Sequence, residues 1–270
     1  MQDNKAIAVR HNTVVKANAL IQKSRFSLSL QQQKIVLYLI SQIQPKDEDF
    51  KLYEFSIQDF CRVCGIDETS GQNYKALKQA VKGIRDKSLW ITLPDESESL
   101  VSWIEKAKIL PKSGKIQVKL DEDMKPFLLQ LKSNFTRYEL IWTLSFKSKY
   151  SIRLYEYIKS IHYRELETYV REIPIDQLKQ SMDAEIYERF KDFHTRALKP
   201  AVQEINQYSD KILSYELIKQ SRTVVAVRFT ISTKDAMERL KLSNQIEQGL
   251  GTDQLTLWEQ LQEEDKGDQT

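Results

Sequence analysis

The sequence predicts an α+β protein made of two copies of one small unit in tandem, and three observations carry that expectation. The first is an amphipathic segment, Glu188 to Asn206. At roughly 100° per residue, Phe190, Phe193, Ala197, Leu198, Ala201, Val202 and Ile205 gather on one side, and Arg189, Asp192, Thr195, Arg196, Lys199 and Gln203 on the other. The second is that Leu198-Lys199-x-Ala201-Val202-x-x-Ile205 repeats Leu77-Lys78-x-Ala80-Val81-x-x-Ile84, letter for letter. The third is that other landmarks repeat in the same order. Ile35-x-Leu37-Tyr38 returns as Ile152-x-Leu154-Tyr155, and Ser56-Ile57-Gln58-Asp59-Phe60 returns as Pro174-Ile175-Asp176-Gln177-Leu178. One amphipathic helix reads most simply as a solvated surface helix; three collinear matches at a nearly constant offset read as a duplicated domain.

Length and composition fit that scheme. The 270 residues suit two domains that each bury a core, and 41% hydrophobic with 29% charged residues describes a globular chain. No apolar run approaches the length that spans a bilayer, and the N-terminus lacks a signal-peptide stretch, so the expected location is cytoplasmic with no membrane partner. The formal net charge of +3 is uneven, with a basic excess up to residue 232 and an acidic one beyond it. A basic body is compatible with a polyanionic partner.

Taken in order, residues 1–16 are polar and expected to be flexible. Ser29-x-x-Gln32 is a capping box for a helix through Ile35, Leu37, Leu39 and Ile40. Ser56-x-x-Asp59 starts a short helix that ends on Gly65, and after a polar loop, Asp67 to Gly71, a longer helix runs from about Gln72 to Lys87. Strands are expected at Leu89 to Leu93, Ser102 to Leu110 and Ile116 to Leu120, the last two joined by a turn at Pro111 to Gly114. Three helices followed by a strand hairpin is the winged-helix order. The expected first wing tip, Pro94-Asp95-Glu96-Ser97-Glu98-Ser99, is acidic, which phosphate would repel, so it suits protein contact better than DNA contact.

A connection over 121–141 separates the copies, and the second opens near Trp142. Its first helix carries Ile152, Leu154, Tyr155, Tyr157 and Ile158, its second enters at Ile173-Pro174-Ile175, and its third is the Glu188 to Asn206 segment. Two strands, Ile212 to Ile218 and Val224 to Ile231, then flank a basic tip with Lys219 and Arg222. Pro200 removes a hydrogen bond to the Arg196 carbonyl, which predicts a kink or a divided helix. The expected boundaries are therefore 1–16, 17–120, 121–141, 142–232 and 233–270. The last part comprises a helix capped by Thr233 and an acidic, disordered tail in which Leu255, Leu257, Trp258 and Leu261 form a possible partner-binding face.

Catalytic motifs are missing. There is no GxxxxGK loop, no GxGxxG after a strand and no HExxH, so neither a cofactor nor a metal is expected and the chain reads as a non-enzyme. Cys61 and Cys64 form a CxxC without paired histidines nearby, and read as two small buried thiols.

At specific stretches the chain resembles a known family. Asn18-Ala19-Leu20-Ile21, then Leu28-Ser29-Leu30, then Leu144-Ser145-x-x-Ser148-x-Tyr150-Ser151-x-Arg153-Leu154-Tyr155-Glu156, then Phe190-x-x-Phe193-x-x-Arg196-x-Leu198-Lys199-Pro200-Ala201-x-x-Glu204-Ile205-Asn206 are similar to the twin winged-helix replication initiators of iteron plasmids, the RepA/RepB/RepE type. The resemblance implies a sequence-specific DNA-binding initiator that binds tandem repeats at a plasmid origin, helps open it and recruits the host replication initiator and helicase. It also implies a homodimer in equilibrium with monomer, with the first domain carrying dimerisation and backbone contacts and the second reading bases. Carried onto this chain, Arg196 and Lys199 are the leading DNA-contact candidates, with Arg189, Lys191, Asp192, Thr195 and Gln203 beside them on the helix. Lys219 and Arg222 on the wing, and Lys75, Lys78 and Lys82 in the first copy, are expected to act through charge. His194 points to the buried side and reads as packing. The alternative is a winged-helix repressor acting as a dimer on an inverted repeat; a nicking enzyme is more remote.

Overall fold

The computed structural model describes residues 2–64, 66, 72–93, 95–110, 112–162 and 167–250, with side chains from Ala6 onward. Gly65, the Asp67 to Gly71 loop, Pro94, Pro111 and the tail residues Leu255, Leu257, Trp258 and Leu261 lie outside the described residues. No described helix is long and apolar enough to cross a membrane.

The elements run α1 (Gln2–Arg10), β1 (Thr13–Ala17), α2 (Asn18–Gln22), β2 (Ser24–Arg25), α3 (Leu30–Ile40), β3 (Tyr53–Ser56), α4 (Ile57–Cys64), α5 (Gln72–Arg85), β4 (Ser88–Thr92), β5 (Glu98–Ser102), β6 (Ile104–Leu110) and β7 (Lys115–Leu120). After a short 3₁₀ turn, Glu122–Met124, come α6 (Lys125–Leu128), β8 (Phe135–Glu139), α7 (Ile141–Leu144), α8 (Lys149–Ile161), β9 (Tyr169–Pro174) and α9 (Ile175–Met182). The third helix of the second copy follows in pieces, α10 (Phe190–Phe193), a π turn (His194–Leu198) and α11 (Lys199–Tyr208), before β10 (Lys211–Gln220), β11 (Thr223–Thr233) and α12 (Ala236–Gly249).

The duplication shows in strand order. In each copy the strand that leads into the second helix pairs with the last strand of the unit, which pairs in turn with the strand before it, giving β3-β7-β6 and β9-β11-β10. All pairings are antiparallel, with Tyr53 opposite Val118 in the first copy and Ile173 opposite Val227 in the second. Neither β3 nor β9 stands out in the sequence, because each is short and runs directly into a helix cap.

This order corrects the reading of the first wing. The counterpart of the β10–β11 hairpin is β6–β7, whose tip includes Lys112, Ser113 and Gly114, and not the hairpin with the acidic tip. The acidic hairpin, β4–β5, is an insertion in a separate sheet with β2. It explains a drift in the repeat offset: Leu77 and Leu198 are 121 positions apart, but β6 and β10 start at Ile104 and Lys211, only 107 apart. The strand expected across Ser102 to Leu110 is likewise two strands, divided at Trp103 where the chain leaves one sheet for the other. Trp103 is fully buried there, with Phe26 edge-on at 5.1 Å.

The copies meet through their first helices, and all eleven residues of α3 are buried. Its capping box forms as expected, the Gln32 amide donating to Ser29 Oγ at 3.3 Å and the Ser29 amide to Gln32 Oε1 at 3.0 Å. α8, capped by Ser148, is buried on nearly every side. Between them Lys34 Nζ donates to the Leu144 carbonyl at 2.8 Å, and Asn18 and Gln22 donate to the Ser160 carbonyl at 3.5 and 3.3 Å. The repeated tyrosines centre equivalent clusters: Tyr38 packs edge-on to Phe55 and Phe60, and Tyr155 edge-on to Tyr138 and Phe146.

The N-terminal segment 1–16, expected to be flexible, instead forms α1 and most of β1 over its described residues 2–16, and the 121–141 connection supplies β1's partner, β8. Arg10 donates through Nε to the Val63 carbonyl at 3.0 Å and through Nη2 to that of Arg62 at 2.6 Å, capping the end of α4. Lys16 Nζ lies 2.6 Å from Glu156 Oε1, which also accepts from Tyr138 Oη at 2.5 Å, all three side chains being buried. Burial lowers the Lys16 pKa and Glu156 opposes that fall. A strand with a central lysine reads as surface until the carboxylate that neutralises it is found.

The cap of α12 is Asp235, with Glu238 completing a capping box; the expected cap, Thr233, ends β11. His11 bridges this helix to the body, its ring nitrogens lying 2.6 Å from Glu139 and 2.7 Å from Glu247.

Candidate nucleic-acid interface

The second copy positions its third helix by a strand–helix–turn–helix route. α9 leaves the sheet after Pro174 and stops at Asp183, which takes the left-handed conformation at φ 56°. Phe193, Ala197, Leu198, Ala201, Val202 and Ile205 are buried, while Arg189, Lys191, Thr195, Arg196, Lys199 and Gln203 are exposed and Asp192 is half-buried. None of these cations holds an ion pair among the described residues.

Pro200 divides this helix as expected, and the form of the break is a π turn. The Lys199 amide donates to the carbonyl of His194, five residues back. Proline offers no N–H to the Arg196 carbonyl, and its ring needs the space that the wider turn leaves. On an unbroken wheel Val202 falls at the edge of the apolar group, next to Lys191 and Thr195 and not inside the group as expected, yet it is buried, as is its equivalent Val81 in the unbroken α5.

Three devices that sequence patterning does not single out hold the segment in place. The Lys147 amide donates to both Glu204 carboxylate oxygens at 3.2 Å, tying α11 to the approach to α8. Burial pushes the Glu204 carboxyl upward, against hydrogen bonds from Ser151 and the Lys147 and Ser148 amides. Asn206 exchanges two hydrogen bonds with the backbone of Leu213, at 2.9 and 2.7 Å. Lys234 Nζ donates to the carbonyls of Asn206, Ser209 and Lys211 at 2.8, 2.7 and 3.0 Å, satisfying groups at and just past the helix end. Glu204 and Asn206 stand within the motif that carries the family resemblance; Lys234 has no signal short of the fold.

His194 is half-buried, stacked on Phe190 at 5.6 Å, with Nε2 2.7 Å from Tyr215 Oη. Burial, and then the Lys199 charge, lower its pKa, so the ring is neutral near pH 7. The β10–β11 hairpin carries a bulge at Ile218/Lys219 and turns through Ser221 at φ 58°, which leaves Lys219 and Arg222 exposed at its tip.

The first copy places Lys75, Lys78 and Lys82 on the exposed face of α5. By the repeat they stand at the positions of Arg196, Lys199 and Gln203. Lys82 pairs with Asp86 at 2.5 Å. On its wing, Lys115 pairs with Glu54 at 2.8 Å, and Lys119 with Glu105 and Glu122, each at 2.8 Å. The β4–β5 hairpin exposes Trp90 and Leu100, 46% and 51% accessible, as direct cross-strand neighbours.

Cys61 and Cys64 are buried and unbridged, and burial pushes the Cys64 thiol up to about 12. Among the described residues no three His, Cys, Asp or Glu side chains converge as a metal site.

Comparison with known proteins places this architecture. Residues 13–159 match the family model described as Initiator Replication protein, WH1, and residues 174–231 match Initiator Rep protein, WH2. A curated Escherichia coli protein named Replication initiation protein is 27% identical over 172 residues, covering 62% of this chain and 52% of its own length. The chain thus spans about half the length of that relative. Among solved structures, the crystal structure of Pi initiator protein in complex with iteron DNA matches with a TM-score of 0.67 at 18% identity, over 84% of this chain and 99% of that one. The two family models match in chain order, the first running on through most of α8 and the second beginning at Pro174, and they establish that the chain belongs to the Initiator Replication protein family.

Proposed function

We propose that the chain is a plasmid replication initiator that binds double-stranded DNA at directly repeated origin sites, with its second winged helix reading base edges. The observation that carries this reading is the exposed set of Arg189, Arg196, Lys199, Lys219 and Arg222, none held in an ion pair among the described residues, on the third helix and wing of that domain. Unpaired cations are available to displace counterions from phosphate, and Arg196 has the planar fork that matches guanine. Asp192, Thr195 and Gln203 flank them with polar groups suited to base edges or sugar. The Pi initiator solved with iteron DNA and the curated replication initiation protein support the assignment by likeness.

In this reading Lys75, Lys78 and Lys82 add backbone contacts, and the chain opens the origin and recruits the host initiator and helicase without chemistry of its own, in the cytoplasm. The β4–β5 hairpin, with Trp90 and Leu100 on one exposed face, is the surface for self-association, which also makes autorepression as a dimer available. Sedimentation over a range of concentrations reads that equilibrium, and a chain that stays monomeric throughout would remove it.

Footprinting on DNA flanking the gene, with monomer and dimer fractions separated, tests the whole reading. Protection of tandem direct repeats is expected; protection of a lone inverted repeat would favour a repressor. Arg196→Ala is expected to weaken binding to the protected repeat by about 10- to 100-fold while changing random-sequence binding far less. Equal losses on both would demote Arg196 to a phosphate contact.

A further inference from the structure

We propose that His11 is a proton-operated clasp that seats the second half of α12 on the body of the protein and releases it when the imidazole is neutral. The inference does not depend on the DNA-binding reading above.

Geometry is the first argument. His11 lies between α1 and β1, and β1 pairs with β8 so that Thr13 stands opposite Glu139. The Leu140 amide donates to the Asn12 carbonyl at 3.0 Å, which carries that register past the strand ends. Two members of the clasp are thus fixed by one pair of strands. The third, Glu247, arrives from α12, 236 positions after His11 in the chain. The ring stands between the two acids, Nδ1 2.6 Å from Glu139 Oε2 and Nε2 2.7 Å from Glu247 Oε1.

Chemistry is the second argument. A carboxylate offers only acceptors, so each of these contacts needs a donor on the ring, and only the imidazolium supplies both. The neutral ring carries a single N–H and turns a lone pair towards the other carboxylate. The seat of α12 is the third. Ile246 is buried and Leu242 and Leu250 are half-buried against the core, but Met237 and Leu240 face solvent at 75% and 58%. A helix with so narrow an apolar contact depends more on a polar tie than one buried on several sides.

Neighbouring charges are turned elsewhere or stand off. Arg10 caps α4, whose Arg62 and Asp59 pair at 3.6 Å and whose Cys64 is buried. Lys16 of β1 and Tyr138 of β8 turn inward to Glu156, and Lys125 of α6 is held by Asp49 and Glu122. Arg137 shares the outer face of β8 with Glu139, Lys241 lies on α12 nearly two turns before Glu247, and α7 brings no charged side chain. Burial lowers the His11 pKa, but hydrogen bonds to Glu139 and Glu247 and then their charges outweigh it, and the net shift is upward from 6.5. The stabilisation is therefore fully present below about pH 6.5 and is lost as pH rises through the raised value.

A plainer account makes the bridge an exposed ion pair that adds almost nothing, as such pairs often do. On that account α12 is seated equally well at any pH, so local exchange separates the two. Amide hydrogen exchange of the full chain is followed at about pH 6 and about pH 9, with rates corrected for the pH dependence of intrinsic exchange. Protection of residues 243–249 is expected to fall about fivefold between the two, while the buried α8 keeps its protection. Both His11→Phe and Glu247→Gln are expected to abolish the step, the second because an amide serves either ring nitrogen as donor or acceptor. Melting curves show that each variant folds, and Glu247→Gln decides the matter should His11→Phe fail to. Equal protection in the wild-type chain at both pH values, or a step that persists in a folded variant, overturns the proposal.

Discussion

The two winged helices share a strand order and a helix motif, yet they hold their charges differently. In the first, Lys82 on the third helix and Lys115 and Lys119 on the last strand are tied to neighbouring carboxylates, although Lys106, Lys108 and Lys112 on the wing hold no ion pair among the described residues, and the position equivalent to Arg196 is Lys75. In the second, the third helix and wing tip present Arg196, Lys199, Lys219 and Arg222 without ion pairs, and Pro200 breaks the helix that is continuous in the first copy. Lysine is a point charge suited to phosphate, whereas an arginine fork discriminates guanine. Duplication therefore leaves one frame in two copies, and the division between them is made by side-chain partnering and one proline rather than by topology.

That division depends on the copies being seated on one another, and the largest effect is expected where the seat is polar. Lys16→Met leaves the buried Glu156 carboxylate facing Tyr138 and Arg153 without its ion-pair partner. A loss of about 3 kcal/mol is expected, the lower end of the cost of breaking a buried pair, because Arg153 still faces the carboxylate. Urea unfolding measures it, and Lys16→Met/Glu156→Gln is expected to recover much of the loss. A single variant as stable as wild type would mean that the first strand is not docked on the second copy.

The next test acts on the helix break. Pro200→Ala restores an amide that can bond to the Arg196 carbonyl, so an α-helix can replace the π turn. Stability is expected to rise, since proline inside a helix costs about 3 kcal/mol, while affinity for the protected repeat falls about tenfold because Arg189 and Asp192 turn relative to the core-bound α11. The reciprocal change, Gln79→Pro at the equivalent position of the unbroken α5, is expected to destabilise by about 3 kcal/mol. Unaltered affinity in Pro200→Ala would show that the turn's shape does not set the reading geometry.

How much of this was legible beforehand follows from what each signal depends on. The α3 cap and the longer helices were readable because the Ser29 box and the apolar periodicity of Phe193 to Ile205 are local, whereas the α12 cap was placed at Thr233 instead of Asp235 and α1 was missed. The break at Pro200 was readable for the same reason. Its π form was not, because the missing proline N–H says where the hydrogen-bond ladder breaks and not whether the chain widens or bends there. The first wing was misassigned because hairpin β4–β5 is as regular in sequence as a wing; only the pairing of β3 with β7 identifies it as an insertion. β1 was missed because Lys16 looks solvent-exposed until Glu156, 140 positions later, is seen beside it. The exposure of Arg196 and Lys199 could be read from a helical wheel, but not the absence of ion pairs that distinguishes them from Lys82 and Lys115.

The smallest expected effect concerns His194 in the third helix of the second copy, which stands where the first copy has the buried Asn73. Burial and the Lys199 charge hold the folded-state pKa of His194 below its ordinary 6.5. The unfolded chain thus binds a proton that the folded chain refuses, and folding stability rises with pH across that window. The stability this residue contributes is present above about pH 6.5 and is lost as pH falls through that value towards the lowered one. His194→Phe keeps an aromatic ring against Phe190, gives up the hydrogen bond to the half-buried Tyr215 hydroxyl, and cannot take a proton. The difference in melting temperature between variant and wild type is expected to shift in the variant's favour on going from pH 7.5 to about pH 5.5. If that difference stays constant with pH, His194 takes up its proton alike in the folded and unfolded chains, and its surroundings do not hold it neutral.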